Sequence, residues 1–143
     1  MKFTIFVDKE REEEVVVYTH KENDFTDSLR KLCEEENCEL LGYCDDTVTR
    51  LSPSEIYCFT VLDNKLYAIT ENKKYILHKR LYQVEALLSE SYIKLNQSTI
   101  ANIEKIQCFD ATFSGSLKVV FKNGYTDYVS RRNMKNIKER FGL

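Results

Sequence analysis

The sequence predicts a mostly β protein of the α+β class. We expect an elongated antiparallel β-sandwich of several short sheets with two short helices, preceded by a small strand–strand–helix–strand unit. Three observations lead to this prediction. Short runs of β-branched and aromatic residues recur along the chain, and tight-turn dipeptides such as Asn123-Gly124 separate several of them. Few stretches carry the apolar spacing and the caps of a helix.

The composition indicates a folded chain whose two halves carry opposite charge. Of the 143 residues, 43% are hydrophobic and 12% are aromatic, so we expect a packed core. Residues 1–72 hold 8 basic and 17 acidic side chains, whereas residues 73–143 hold 13 basic and 6 acidic ones. The resulting charges of −9 and +7 favour a polyanionic partner for the second half.

Residues 1–44 are predicted to form the small N-terminal unit, with a role in dimerisation or sensing. Its helix can begin at Asn23 or Asp24, because both side chains suit a helix N-cap, and its apolar residues fall on one stripe. The predicted elements, in chain order, are strands at 2–7 and 15–18, a helix reaching residue 36, and a strand at 39–43.

Residues 45–143 are predicted to form the sandwich. Ser130 suits the N-cap of the last helix, and Gly142 suits its C-terminal end. The predicted strands are residues 48–51, 56–62, 66–70, 75–77, 92–95, 100–106, 117–121 and 125–129. The predicted helices are residues 80–89 and 131–140.

A polar segment interrupts the apolar residues near the centre of this second part. Asn96-Gln97-Ser98-Thr99 is poor helix interior, because amides and hydroxyls compete for backbone hydrogen bonds, and it suits a tight turn between two strands. Amide side chains can also pair with adenine in a DNA groove. From composition alone, a solvated turn is the simpler interpretation.

Two motifs carry a resemblance to a known family. The first is Tyr92 with residues 93–95, then Asn96-Gln97-Ser98 and Ile100-Ala101-Asn102. The second joins residues 121–124, 128–132 and 135–137. In combination and in spacing, these motifs resemble the LytTR family of bacterial DNA-binding domains over residues 45–143. Many members have His at the position of Asn96, so a contact made there by this chain is neutral.

The resemblance implies a DNA-binding surface made of loops and strand ends that enter major grooves, without a recognition helix. The implied base contacts are Asn64, Lys65, Asn96, Gln97 and Arg132. The implied contacts with the DNA backbone are Lys94, Ser98, Lys105, Arg131 and Lys135. A lysine or arginine suits a phosphate by charge alone.

We therefore predict a stand-alone, cytoplasmic LytTR regulator that binds double-stranded promoter DNA as a homodimer on paired sites. Residues 1–44 are too short for the receiver domain that often precedes this domain. Some stand-alone members are restrained by a small membrane protein, which makes such a partner an expectation here. The alternative is a regulatory adaptor that binds only protein through its acidic helix.

An enzyme is not expected. The sequence contains no G-x-S-x-G, no glycine-rich phosphate loop and no H-E-x-x-H motif. The five cysteines and two histidines lack the spacing of metal ligands, so we expect no metal and no cofactor.

Overall fold

The computed structural model describes residues 2–36 and 40–143, and within them it contains three α-helices and ten β-strands. The helices are α1 (Asp24–Glu36), α2 (Leu81–Leu87) and α3 (Arg131–Phe141). The first five strands are β1 (Leu40–Cys44), β2 (Thr47–Leu51), β3 (Cys58–Leu62), β4 (Lys65–Ile69) and β5 (Lys74–Leu77). The others are β6 (Tyr92–Asn96), β7 (Thr99–Asn102), β8 (Ile106–Ala111), β9 (Leu117–Phe121) and β10 (Thr126–Val129).

The described strands form two antiparallel sheets. The large sheet has seven strands in the order β2-β1-β5-β4-β3-β7-β6, and the small sheet has three in the order β10-β9-β8. The predicted mostly β, antiparallel class is confirmed. The sheets are fewer than the several short ones expected, because β3 also pairs with β7, and a bridge between Tyr43 and Ile76 joins β1 to β5.

The predicted N-terminal unit differs from the structure. Residues 2–22 contain no strand, and their apolar side chains are exposed, so the strands predicted at 2–7 and 15–18 are wrong. No strand in the described residues pairs with these segments, and an isolated hairpin is marginal in water. Helix α1 is confirmed, and the backbone N–H of Thr26 donates to Asn23 Oδ1 over 3.1 Å.

The last strand of that predicted unit belongs to the large sheet. Strand β1 pairs along its whole length with β2, from Leu40 opposite Leu51 to Cys44 opposite Thr47. Residue 39, where the prediction began, lies outside the described residues. The strand is therefore held by residues that follow it in the chain, and the role of residues 1–44 stays a prediction.

The strand predicted at 100–106 is two strands separated by a turn of 3-10 helix at residues 103–105. The side chain of Asn102 causes the break, because its Oδ1 accepts a hydrogen bond from Glu104 N at 3.1 Å and caps the turn. Strand β8, which follows, was missed. Its residues Gln107, Cys108 and Asp110 are exposed, so the apolar alternation that marks a half-buried strand is weak.

Two hydrophobic cores lie on the large sheet. One lies between the large sheet, the small sheet and α3, and it includes Leu95, Phe121 and Ile137, none of which exposes more than 1% of its surface. The other includes Phe59 from the large sheet and Val84 from α2. The first core therefore holds α3 against the large sheet.

Among the described residues, no group of three or more His, Cys, Asp or Glu could hold a metal ion. Cys58 is buried in the first core, and this burial raises the pKa of its thiol, which therefore stays protonated.

None of the helices described is long and apolar enough to cross a membrane.

Candidate nucleic-acid interface

Two turns and a helix start meet at one end of the large sheet. The turn at residues 63–64 joins β3 to β4, and the turn at residues 97–98 joins β6 to β7. They lie side by side because β3 pairs with β7, and Val61 N donates to Ser98 O over 2.9 Å. We call the exposed residues of these turns, with Lys65 and the first turn of α3, the polar edge.

The first turn is a tight two-residue hairpin connection. Asp63 and Asn64 have φ values of 51° and 61°, both in the left-handed region that Asn and Asp tolerate better than most residues. Asn64 and Lys65 are exposed, with Lys65 opposite Leu62 at the start of β4. Their side chains project from the end of the sheet into solvent.

The second turn presents two exposed polar side chains, Gln97 and Ser98. Asn96 behaves differently, since its amide is already engaged within the protein. Its Nδ2 donates to Asp127 Oδ1 over 3.1 Å and to the Tyr128 carbonyl over 2.8 Å, while its Oδ1 accepts from Ser98 N at 2.8 Å. Both amide donors are therefore used, which leaves spare acceptor capacity on Oδ1 alone.

The start of α3 is tied directly to β6. Ser130 N donates to the carbonyl of Leu95 over 2.9 Å, and the Ser130 hydroxyl caps the helix by accepting from Asn133 N. Arg131 and Arg132 are exposed in the first turn, which contains no acidic residue. The described part of the chain gives neither arginine an ion pair, so both exposed side chains are available at the start of a helix that is bonded to β6.

The other three predicted contacts are lysines that already have a partner within the protein. Lys94 Nζ lies 3.8 Å from Glu85 Oε2, and Lys135 Nζ lies 3.9 Å from Glu139 Oε1. Lys105 stacks its ammonium 5.2 Å from the centre of the Tyr57 ring, beside the first residue of β3. That position is at the opposite end of β3, about 13 Å from the polar edge at ~3.3 Å per residue. The structure thus places Lys105 away from the polar edge, whereas Lys94 lies two residues before Asn96 in β6 and Lys135 lies one helical turn after Arg131. The other seven predicted residues lie within the polar edge or directly beneath it.

A partly buried polar cluster lies beneath the polar edge and was not predicted from the sequence. It consists of Thr60, Thr99, Asp127 and the amide of Asn96. Thr60 and Thr99 share a hydrogen bond of 2.8 Å, and the Thr99 hydroxyl donates to Asp127 Oδ2 over 2.6 Å. Hydroxyls inside two otherwise apolar strands were the available sign of it, since buried hydroxyls need partners.

Comparison with known proteins gives a consistent result. Residues 46–142 match the family LytTr DNA-binding domain. The chain is 30% identical over 146 residues to uncharacterised HTH-type transcriptional regulators of Staphylococcus aureus strains MSSA476 and N315, covering all of this chain and 99% of theirs. A solved LytTr DNA-binding domain from Bacillus cereus superposes with a TM-score of 0.68 at 20% identity, covering 73% of this chain and 97% of that one.

The names of those relatives specify a helix-turn-helix, which is an arrangement of two successive helices joined by a short turn. In the described residues of this chain, strands separate α1 from α2 and α2 from α3. The exposed polar groups lie at turns and at a helix start instead.

Proposed function

This chain belongs to the LytTR family of DNA-binding domains and is a DNA-binding transcription regulator, and we propose that its polar edge reads the major groove of promoter DNA. The single observation that carries this proposal is the convergence of exposed base-reading side chain types at one end of the large sheet. Amides suit adenine, and lysine and arginine suit guanine.

The individual roles follow from exposure and contacts. We assign base contacts to Asn64 or Lys65 in the first turn, to Gln97 in the second, and to Arg132 at the start of α3, because all are exposed. Asn96 was expected to read bases as well. Its engaged amide supports a different role, that of holding the second turn in place.

The backbone of the duplex would be held by cations and small donors around these base contacts. Ser98 and Arg131 lie within the polar edge, and Lys94 and Lys135 would exchange a half-exposed or exposed carboxylate partner for a phosphate. Exposed ion pairs are worth about 0–1 kcal/mol, so this exchange is easy. A contact from Lys105 would require the duplex to run along the sheet as far as the start of β3.

Replacing Gln97 with alanine should flatten the preference at one or two base positions, because a bidentate amide contact is worth ~1–3 kcal/mol of discrimination. Binding isotherms against the selected site and its single-base variants measure this. Gln107→Ala, which removes an exposed amide from β8, is the matched control and should leave the preference unchanged.

A different pattern for Gln97→Ala would contradict the assignment. A uniform loss on every sequence, with the preference intact, would make the second turn a backbone contact. If the unmodified protein shows no salt-sensitive, sequence-selective binding at low salt, the whole proposal fails.

We further propose that the protein acts as a dimer on paired sites through its N-terminal segment. Eight apolar side chains of residues 3–18 are between 43% and 95% exposed, among them Phe6 at 89% and Tyr18 at 95%. Side chains of this size together present on the order of the 800 Å² per partner that a standard interface buries. Two copies related by a two-fold axis can cover the same patch on each other.

Removing residues 1–22 should therefore lower the oligomeric mass measured by light scattering to that of one chain. The deletion stops at residue 22 so that the Asn23 cap of α1 and the whole of β1 remain. Glu12→Ala/Glu13→Ala, which changes charge but no apolar contact, is the control and should keep the mass of the full chain. Equal masses for the truncated and full chains would exclude self-association through this segment.

A further inference from the structure

The polar cluster beneath the polar edge connects four strands from both sheets. Thr60 lies in β3, Thr99 in β7, Asn96 at the end of β6, and Asp127 in β10. The two carboxylate oxygens of Asp127 accept hydrogen bonds from different groups. Oδ1 accepts from Asn96 Nδ2 and, over 2.7 Å, from Tyr128 N. Oδ2 accepts from the Thr99 hydroxyl. One carboxylate is thus the common partner of the large and small sheets at this point.

The two threonine hydroxyls of the cluster are buried, so losing their hydrogen bonds would destabilise the fold. Thr60 exposes 2% of its surface and Thr99 exposes 1%, so neither hydroxyl has water as an alternative partner. A buried polar group that loses its partner costs about 1–3 kcal/mol. The geometry of the cluster is therefore held more firmly than that of the exposed residues it supports.

The cluster lies between two of the groups assigned to base contacts. Asn96, which it holds, is adjacent in sequence to Gln97, and its Oδ1 accepts the Ser98 N–H inside the second turn. Asp127 is three residues before Ser130, whose N–H fixes the start of α3 to Leu95. Any change at Asp127 that loosens Asn96 therefore alters where Gln97 lies relative to Arg132.

We propose that Asp127 is a positioning residue that sets the sequence selectivity of the polar edge without contacting DNA. This inference rests on the proposed function of that edge. A carboxylate beneath a DNA-binding surface opposes the binding of phosphate by charge. A local electrostatic misfit of this kind is expected where function requires it, and here the requirement is the spacing of the two base-contacting groups.

Two substitutions separate the geometry of Asp127 from its charge. Asp127→Asn keeps a carbonyl oxygen for Asn96 Nδ2 and Tyr128 N, and its new amide can donate to Thr99, whose hydroxyl can then donate to Thr60. Asp127→Ala removes every hydrogen bond that the Asp127 side chain makes and leaves the bond between Thr60 and Thr99. Thr99→Val, which removes the hydroxyl bonds to Oδ2 and to Thr60 but leaves both bonds of Oδ1, is the milder variant in case Asp127→Ala does not fold.

The measurement is the ratio of affinities for the selected site and for random DNA, taken with full-length protein whose fold is checked by thermal melting. Asp127→Asn should bind both DNAs more tightly and keep the ratio. Asp127→Ala should lower the ratio on the order of tenfold, and Thr99→Val should lower it less, as expected for the loss of buried hydrogen bonds.

Three results would overturn the inference. The ratio could be unchanged in folded Asp127→Ala or, if that variant does not fold, in Thr99→Val. The affinity ratio could fall as much in Asp127→Asn as in Asp127→Ala, which would show that the charge of Asp127, and not its geometry, sets the selectivity. An unmodified protein without selectivity would instead overturn the proposed function, and the inference with it, so the two failures are distinguishable.

Discussion

Replacing Arg132 with alanine is expected to cost about 1–3 kcal/mol on the specific site and much less on random DNA. The guanidinium group is the best bidentate partner for guanine O6 and N7, and Arg132 is exposed in the first turn of α3. A cation there opposes the helix dipole by ~0.3–1 kcal/mol, and no acid in that turn offsets it. The arrangement costs stability, which favours a role in binding.

Arg131→Ala is the matched control, because it removes the same charge one residue earlier. It should weaken binding to specific and random DNA alike and lower the slope of log affinity against log salt by about one. Binding isotherms on both DNAs at several salt concentrations test the pair. Equal losses on the two DNAs for Arg132→Ala would contradict its assignment as a base contact.

Replacing Ile137 with alanine is expected to lower the free energy of unfolding by about 2–5 kcal/mol. Ile137 is fully buried in the first core, where α3 packs against both sheets, so truncation leaves a cavity at the junction that carries the helix. Urea denaturation followed by circular dichroism measures the loss. Lys138→Ala, at the next and exposed position, should stay within about 0.5 kcal/mol.

A loss below 1 kcal/mol for Ile137→Ala would show that α3 is held mainly by its cap and by the bond from Ser130 to Leu95, rather than by packing. The same preparation should also lose affinity for the specific site at temperatures where part of it is unfolded.

The elements that local chemistry determines were predicted best from the sequence. Strand β9 coincides with the predicted 117–121, because Asn123-Gly124 fixes the hairpin turn and Gly124 has a φ of 87°. The caps at Ser130 and Gly142 bound α3 within one residue of the prediction. In these places a few neighbouring residues decide the conformation.

The features that depend on distant residues were predicted poorly. Residues 2–7 and 15–18 have the composition of strands, but a strand needs a partner, and none is present in the described residues. Asn96 has the chemistry of a base-reading amide. In the structure its amide instead donates to Asp127 and Tyr128. The bond to Asp127 spans 31 residues of sequence, and no local sequence pattern predicts such a contact.

The long sequence separations inside the polar cluster have a kinetic consequence. Thr60 meets Thr99 across 39 residues, and Thr99 meets Asp127 across a further 28. Closing such loops costs entropy before any contact compensates it, so β-rich chains of this kind fold in milliseconds to seconds rather than microseconds. The polar edge is complete only after β10 and α3 have docked, because β10 carries Asp127 and α3 carries Arg131 and Arg132. A chain in which residues 126–141 have not docked therefore lacks part of the polar edge, and we expect it to bind promoter DNA without sequence selectivity.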